Sequence, residues 1–170
     1  MTREPMAKIR KHHILLMATA VTALVACISW AEEPYYAKVI GITDGDMITV
    51  LRNKTPITIR LYGIETPEMG QAFATKAKQF TAEQVSGKSV IVMPIDTDRY
   101  GRPLALVQTQ DATGILNEAL IEVGLAWVYR KYCKAEFCTD WLTIEDVARA
   151  SGHGIWTDPD PIPPWEYRKK

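Results

Sequence analysis

The chain has 170 residues, 47% hydrophobic, 9% aromatic and 24% charged, with a formal net charge of zero. That length frames one domain with one real core, and the composition excludes a chain that stays mostly disordered. No apolar run reaches the roughly 20 residues of a full span, which excludes a multi-span membrane protein, and a cysteine count of 3 excludes a disulfide-dense miniprotein or a four-cysteine zinc site.

The charge is unevenly spread. Residues 1–31 carry Arg3, Lys8, Arg10 and Lys11 against Glu4 alone, so the remainder holds a small acidic excess. A mildly acidic body cannot grip a polyanion by bulk charge; any nucleic acid must be held locally. After the basic stretch ending Arg10-Lys11-His12-His13 comes the apolar run ILLMATAVTALVA (14–26), then Cys27-Ile28-Ser29-Trp30-Ala31. A charged start, a short apolar centre and small residues at its end read as a secretory signal. Glu32 and Glu33 directly after it, and its shortness, speak against a buried core helix or an uncleaved anchor. Export is therefore expected, to the periplasm, the medium or a lipid anchor in the bacterial envelope. Ser29-Trp30-Ala31 offers cleavage after Ala31, whereas Leu24-Val25-Ala26-Cys27 resembles a lipobox that would make Cys27 a lipidated N-terminus. Both stay open, and membrane association is expected only through this segment.

The body, 32–157, reads as strands first and helices later. From Tyr36 to Tyr62 the chain is rich in β-branched and aromatic residues, broken by Asp44-Gly45 and by Arg52-Asn53-Lys54. The first break is a strong turn signal between KVIGIT and DMITVL. In TPITIRLY, the aliphatic Ile57, Ile59 and Leu61 alternate with Thr58, Arg60 and Tyr62, which puts Arg60 on the opposite face. Gln71 to Ser86 changes to a helical period through Phe73, Ala77, Phe80, Gln84 and Val85, with Gly87 as the stop.

SVIVMPI and the stretch from Pro103 to Thr109 are two more strands, joined by a polar hairpin loop, Asp96 to Arg102. Asn117 is expected to cap a short helix, NEALIEVGLAWV, and a last helix runs from about Thr139 to Ala150. Its apolar side is Trp141, Leu142, Ile144, Val147 and Ala148. The tail, 158–170, is Pro-rich and then basic, a docking or loose segment in which Trp165 is an anchor. Five strands with a helix after the third predict an α+β domain: a five-stranded OB-fold barrel with three helices. A monomer is expected.

Cys133 and Cys138 are the only thiols in the body, and an even count in an exported protein favours a disulfide. Five residues of regular helix rise about 7.5 Å, too far for a bridge, so a turn is required there.

Three polar clusters could carry chemistry: Asp44-Gly45-Asp46, Glu65-Thr66-Pro67-Glu68 beside Arg60, and Asp98-Arg99-Tyr100-Gly101-Arg102. Singly they read as a β-turn, a helix start and a hairpin tip. Together, in this order, they are specific. With DGD at 44–46, IRL at 59–61, ETPE at 65–68, DRYGR at 98–102, LNEALIEVGLA at 116–126 and GIW at 154–156, the chain from Tyr36 to Trp156 resembles the staphylococcal nuclease (thermonuclease) family.

That resemblance implies an OB barrel with three helices that cleaves DNA and RNA with calcium (Ca2+), breaking the bond to the 5′ oxygen and leaving 3′-phosphates. Hydrolysis at phosphorus piles charge onto oxygens that are already anionic, so fixed positive groups are needed there. Arg60 and Arg102 match the family's two catalytic arginines, whose planar guanidinium can donate two parallel bonds. Asp46, Glu65 and the backbone carbonyl of Thr66 match the calcium ligands, and Glu68 matches the carboxylate that orients or deprotonates the attacking water. Arg99 and Tyr100 align with phosphate-contacting residues. Tyr129 and Tyr132 lie near the family's base-side tyrosines, and an aromatic face stacks on any base.

Two departures stand out. Glu65 replaces the family's common Asp, a methylene longer, and Met47 replaces its usual Thr. Altered calcium affinity is expected, because calcium tolerates varied geometry. Two other functions compete with the nuclease: an OB module that binds nucleic acid without catalysis, and a structural envelope lipoprotein. The first predicts loss of an arginine or of Glu68. The second gives no reason for Arg60, Glu68 and Arg102 to occur together.

Overall fold

The computed structural model describes residues 32–109 and 114–170. The segment 1–31 expected to be a secretory signal, with Cys27 and Ala31, lies outside the described residues. Among those described, no helix is long and apolar enough to cross a membrane.

Strands β1 (Tyr35–Ile42), β2 (Met47–Arg52) and β3 (Thr55–Leu61) form an antiparallel meander. Asn53 and Lys54 both adopt positive φ, 50° and 66°, which makes the tight turn whose twist matches the two strands it joins. A two-residue strand, β4 (Ile64–Glu65), follows; then come β5 (Ser89–Thr97) and β6 (Pro103–Thr109). The five long strands close into a barrel in the order β1-β2-β3-β6-β5, with β3 and β6 parallel. Period-two alternation fills it: Ala37, Val39, Ile48, Val50, Ile59, Leu61, Val90, Val92, Ala105 and Val107 all point inward and are buried. Each buried Val, Leu or Ile contributes about 1.5–3 kcal/mol of transfer free energy. The five-stranded α+β barrel is the one expected from the sequence.

Helix α1 (Ala74–Val85) starts three residues later than the periodicity suggests, because Phe73 takes a left-handed φ of 67° that no helix can include. Its inward face is Ala77, Thr81 and Val85, whereas Gln84 faces solvent. Thr81 is tolerated in the core because its hydroxyl donates to the Gly45 carbonyl at 2.6 Å.

In α2 (Leu116–Glu122), Asn117 is not a cap. It lies inside the first turn, fully buried, and staples the helix to the barrel. Its amide donates to the Tyr62 carbonyl at 3.0 Å and its Oδ1 accepts from the Val107 N–H at 3.2 Å. Helix α3 (Cys138–Ala150) follows β7 (Trp127–Val128), the partner of β4. Val147 is 61% exposed, and the side chain turned inward is Glu145. Its carboxylate is satisfied there by the Val128 N–H and by Arg130, both at 2.9 Å.

A 3-10 turn (Gly154–Thr157) and a fourth helix, α4 (Pro164–Tyr167), follow, so the described residues hold four α-helices where three were expected. Trp165 stacks on Tyr129 with ring centres 5.0 Å apart and planes 6° from parallel. Pro164 is buried, and the Ile162 carbonyl accepts from the Gln71 amide at 2.9 Å. The tail is therefore docked by its aromatic anchor.

Candidate active site

Strand ends bring the polar clusters to one edge of the barrel. The β1–β2 turn carries Asp44-Gly45-Asp46, and here the glycine is required by space: a Cβ at Gly45 would lie 2.8 Å from atoms of both Ala77 and Thr66. This close approach buries Asp46 against the segment after β4. The Thr66 N–H donates to Asp46 Oδ2 at 3.3 Å, and Asp44 Oδ1 accepts from the Asp46 N–H at 3.1 Å. Asp46, Glu65 and Thr66 are each at most 4% exposed.

Arg60 sits opposite Met47 across the β2–β3 ladder and beside Leu104 of β6. Its Nη2 lies 2.7 Å from Glu65 Oε1 and 3.4 Å from Asp46 Oδ2. Glu65 is aimed at it by the short β4–β7 pairing, in which Glu65 is opposite Trp127. The turn between Arg60 and Glu65 passes through Gly63, whose φ is 73° and where a Cβ would fall 2.6 Å from Cys133 Sγ. Cys133 and Cys138 form a disulfide, with Cα atoms 5.8 Å apart, in the turn that leads into α3. It packs directly behind the segment that carries the site.

Glu68 is half-buried, and its N–H donates to Gln71 Oε1 at 2.7 Å. Its carboxylate meets a residue that sequence reasoning missed: Arg168, one position beyond α4, donates from Nη1 to Glu65 Oε2 at 2.7 Å and to Glu68 Oε1. The available signal was weak. Pro163-Pro164 followed by Glu166 reads as a helix start, which would have ordered the tail without saying where it packs.

Arg102 is held by its own loop. Asp98 Oδ2 accepts from Arg102 Nε at 2.7 Å and lies 2.6 Å from Nη2, while Oδ1 caps the N–H groups of Tyr100 and Arg102. The remaining Nη1 contacts Met47 Sδ at 2.9 Å. Met47 thus buttresses Arg102 and, across the ladder, neighbours Arg60. Arg99 and Tyr100 pair at the exposed hairpin tip, Nη2 to Oη at 2.6 Å, and Arg102 lies 5.2 Å from the centre of the Tyr100 ring. Tyr132 is exposed and packs edge-on against Tyr129 at 4.8 Å. No hydrogen bond or ion pair among the described residues ties Arg99, Tyr100 or Tyr132 to Asp46, Glu65 or Glu68.

The electrostatics are those of a site short of positive charge. Burial pushes the Asp46 carboxyl well above the usual carboxylate range; Arg60 opposes the shift, and Asp44 and Glu65 add to it. Burial works against the Arg60 charge, but Asp46, Glu65 and Asp44 outweigh it and raise its pKa. At Asp98 partial burial raises the pKa, yet the N–H donors of Arg102 and Tyr100 and the guanidinium hold it below the ordinary value.

Among the described residues, Arg60 and Arg168 are the cations paired with Asp46, Glu65 and Glu68, and Asp44 also lies near Arg60. This oxygen-only donor set, with more carboxylates than guanidiniums, suits a hard divalent cation. Asp46, Glu65 and the Thr66 carbonyl could hold one. Among the described residues no group of three or more His, Cys, Asp or Glu side chains is placed to hold a metal ion, so beyond two carboxylates the Thr66 carbonyl and water would have to supply the ligands.

Known proteins match this chain along most of its length. Residues 58–158 match the family described as staphylococcal nuclease homologue. The chain is 36% identical to the protein named ParB of Escherichia coli, over 95% of this chain and 94% of that protein. It is 37% identical to a micrococcal nuclease of Shigella flexneri, over 90% of each. An uncharacterized endonuclease of Haemophilus influenzae is 33% identical, over 95% of this chain and 86% of that one.

Proposed function

The chain belongs to the staphylococcal nuclease family, and we propose that it is an exported, calcium-dependent nuclease that hydrolyses DNA and RNA alike and leaves 3′-phosphates. It is a phosphodiester hydrolase of the endonuclease kind. One observation carries the finer reading: Asp46, Arg60 and Glu65 converge in a buried cluster at the barrel edge, with Thr66 hydrogen-bonded into it.

Each residue has work that its geometry supports. Arg60 is anchored through Nη2 on Glu65 and Asp46, which orients its fork at the edge where Arg102 also lies. Asp98 and Met47 restrict Arg102 in the same way. Two preorganised guanidiniums stabilise the charge that grows on the phosphoryl oxygens, and they need little reorganisation as the reaction proceeds. Glu68, less buried than Asp46 and Glu65, orients or deprotonates the attacking water. Asp46, Glu65 and the Thr66 carbonyl would hold calcium, which when bound would neutralise phosphate charge and lower the cost of forming a nucleophile from water. Tyr100 and Tyr132, both exposed, offer faces on which bases stack without regard to sequence or sugar.

Export is supported by the basic and apolar segment 1–31 and by the Cys133–Cys138 disulfide, which persists in an oxidising compartment.

The test is digestion of single-stranded DNA and of RNA by the purified protein, with calcium or with excess chelator. Cleavage of both polymers that stops in chelator is expected. Undiminished cleavage in chelator would reject the metal ligands, and no cleavage in either condition would reject the catalytic assignment.

A further inference from the structure

Arg168 reaches the site from the far end of the chain, 103 residues after Glu65. Glu65 Oε1 is engaged by Arg60 at 2.7 Å and its Oε2 by Arg168 at 2.7 Å, so both oxygens of this buried carboxylate are held by guanidinium. The same Arg168 nitrogen also reaches Glu68. The two arginines are not equivalent. The Arg60 side chain is 20% exposed and rises from a barrel strand, whereas that of Arg168 is 41% exposed and lies at the edge of the site.

Contacts that do not involve Arg168 fix the tail that carries it. These are the Trp165–Tyr129 stack, buried Pro164 and the bond from the Gln71 amide to the Ile162 carbonyl. A guanidinium on so short a tether stands at high effective concentration beside the carboxylates.

We infer that Arg168 is a tethered cation that occupies Glu65 and Glu68 and competes with the metal ion for them, so that the C-terminal tail sets the metal affinity of the site. The inference rests on the reading above that Glu65 takes a divalent cation. The physical reason is twofold. A carboxylate oxygen already accepting a charge-assisted bond is a poorer ligand until that bond is given up. A fixed positive charge a few ångströms away also repels an incoming divalent ion strongly in a site this poorly hydrated. Without the ion, Arg168 supplies part of the missing positive charge and leaves the buried glutamate paired.

The opposite role, a guanidinium that only positions Glu65 and Glu68 for the metal, makes the opposite prediction. Calorimetric titration with calcium chloride separates the two, using the purified protein and its Arg168→Gln and Arg168→Lys variants. The Gln variant should bind calcium about tenfold more tightly, or better, with the Lys variant between. Thermal melting is the second readout. In chelator the Gln variant should melt below the parent, because Glu65 has lost a partner, and calcium should raise its Tm by more than it raises the parent's. Equal or weaker calcium affinity in the Gln variant would overturn the competition while leaving the calcium site standing. No binding heat and no calcium-induced rise in Tm in any of the proteins would overturn both. The substitution leaves Trp165 and Pro164 in place, so the tail stays docked in the variants.

Discussion

Arg60 and Glu65 stand five positions apart, on either side of the turn through Gly63, and their side chains meet at 2.7 Å in a site where Glu65 is 3% exposed. The pair ties the arginine proposed to face phosphate to the carboxylate proposed to hold the metal. A change at either end therefore reaches both functions.

Arg60→Lys and Arg102→Lys should each lower kcat on DNA by about 100-fold or more. Lysine keeps the charge but has no planar fork, so it cannot grip a carboxylate and still present parallel donors to a phosphate. A loss of only twofold at either position, measured by steady-state digestion, would remove that arginine from the chemistry.

Glu65→Asp restores the family's usual residue, yet here it shortens a side chain that spans two arginines. The calcium concentration that gives half-maximal activity should shift, since nucleophile geometry is sensitive to about 1 Å. Glu65→Gln should bind calcium more weakly than Glu65→Asp and should lose about 3 kcal/mol of stability, because it breaks the pairing of a buried carboxylate with the part-buried Arg60 guanidinium. Calcium titrations and denaturant melts read the two effects separately. The same calcium response in all three proteins would make Glu65 a bystander.

Asp98 has a folded-state pKa below its ordinary value, so its contribution to stability is fully present above the ordinary carboxylate pKa. That contribution is lost as pH falls from about 4 through the lowered folded value. The stability gap between the parent and Asp98→Asn should accordingly be constant at neutral pH and close across that acidic window. At neutral pH the variant should also lose about tenfold in kcat, because Arg102 is no longer held on two nitrogens. Urea midpoints from pH 7 to pH 2 and a rate assay check both; a pH-independent gap would deny Asp98 its charge-based role.

The Cys133–Cys138 bridge closes a short loop, so replacing both cysteines by serine should cost about 2 kcal/mol. Because Gly63 packs against Cys133, activity should fall as well, through the turn that presents Glu65. Mass spectrometry of protein made in an oxidising compartment should find no free thiol at either position.

The barrel was legible because its signal is local. Alternation in TPITIRL placed Ile59 and Leu61 inside and Arg60 on the other face, and Asp44-Gly45 marked the turn. The motifs around Asp46, Glu65, Glu68 and Arg102 were legible as a set by their order and likeness to a known family. Helical periodicity misled where a polar side chain had a distant partner. Gln84 and Val147 were expected inside and are exposed, while Thr81 and Glu145 are buried because Gly45 and Val128 satisfy them. Asn117 followed the same rule: it looked like a cap, and it bonds to Tyr62 and Val107 instead.

The sequence alone, then, determined the five barrel strands, the arginine and carboxylate inventory, and the need for a turn between the two cysteines. Each depends on neighbours a few residues apart, where periodicity and turn chemistry act. Only the tertiary structure decided that Asp98 and Met47 restrain Arg102, that Gly45 must lack a side chain, and that Arg168 lies on Glu65 and Glu68. These contacts join positions far apart in the chain or depend on how a loop closes. Burial and close packing choose them, because a carboxylate removed from water must find a cation or donor wherever the fold supplies one.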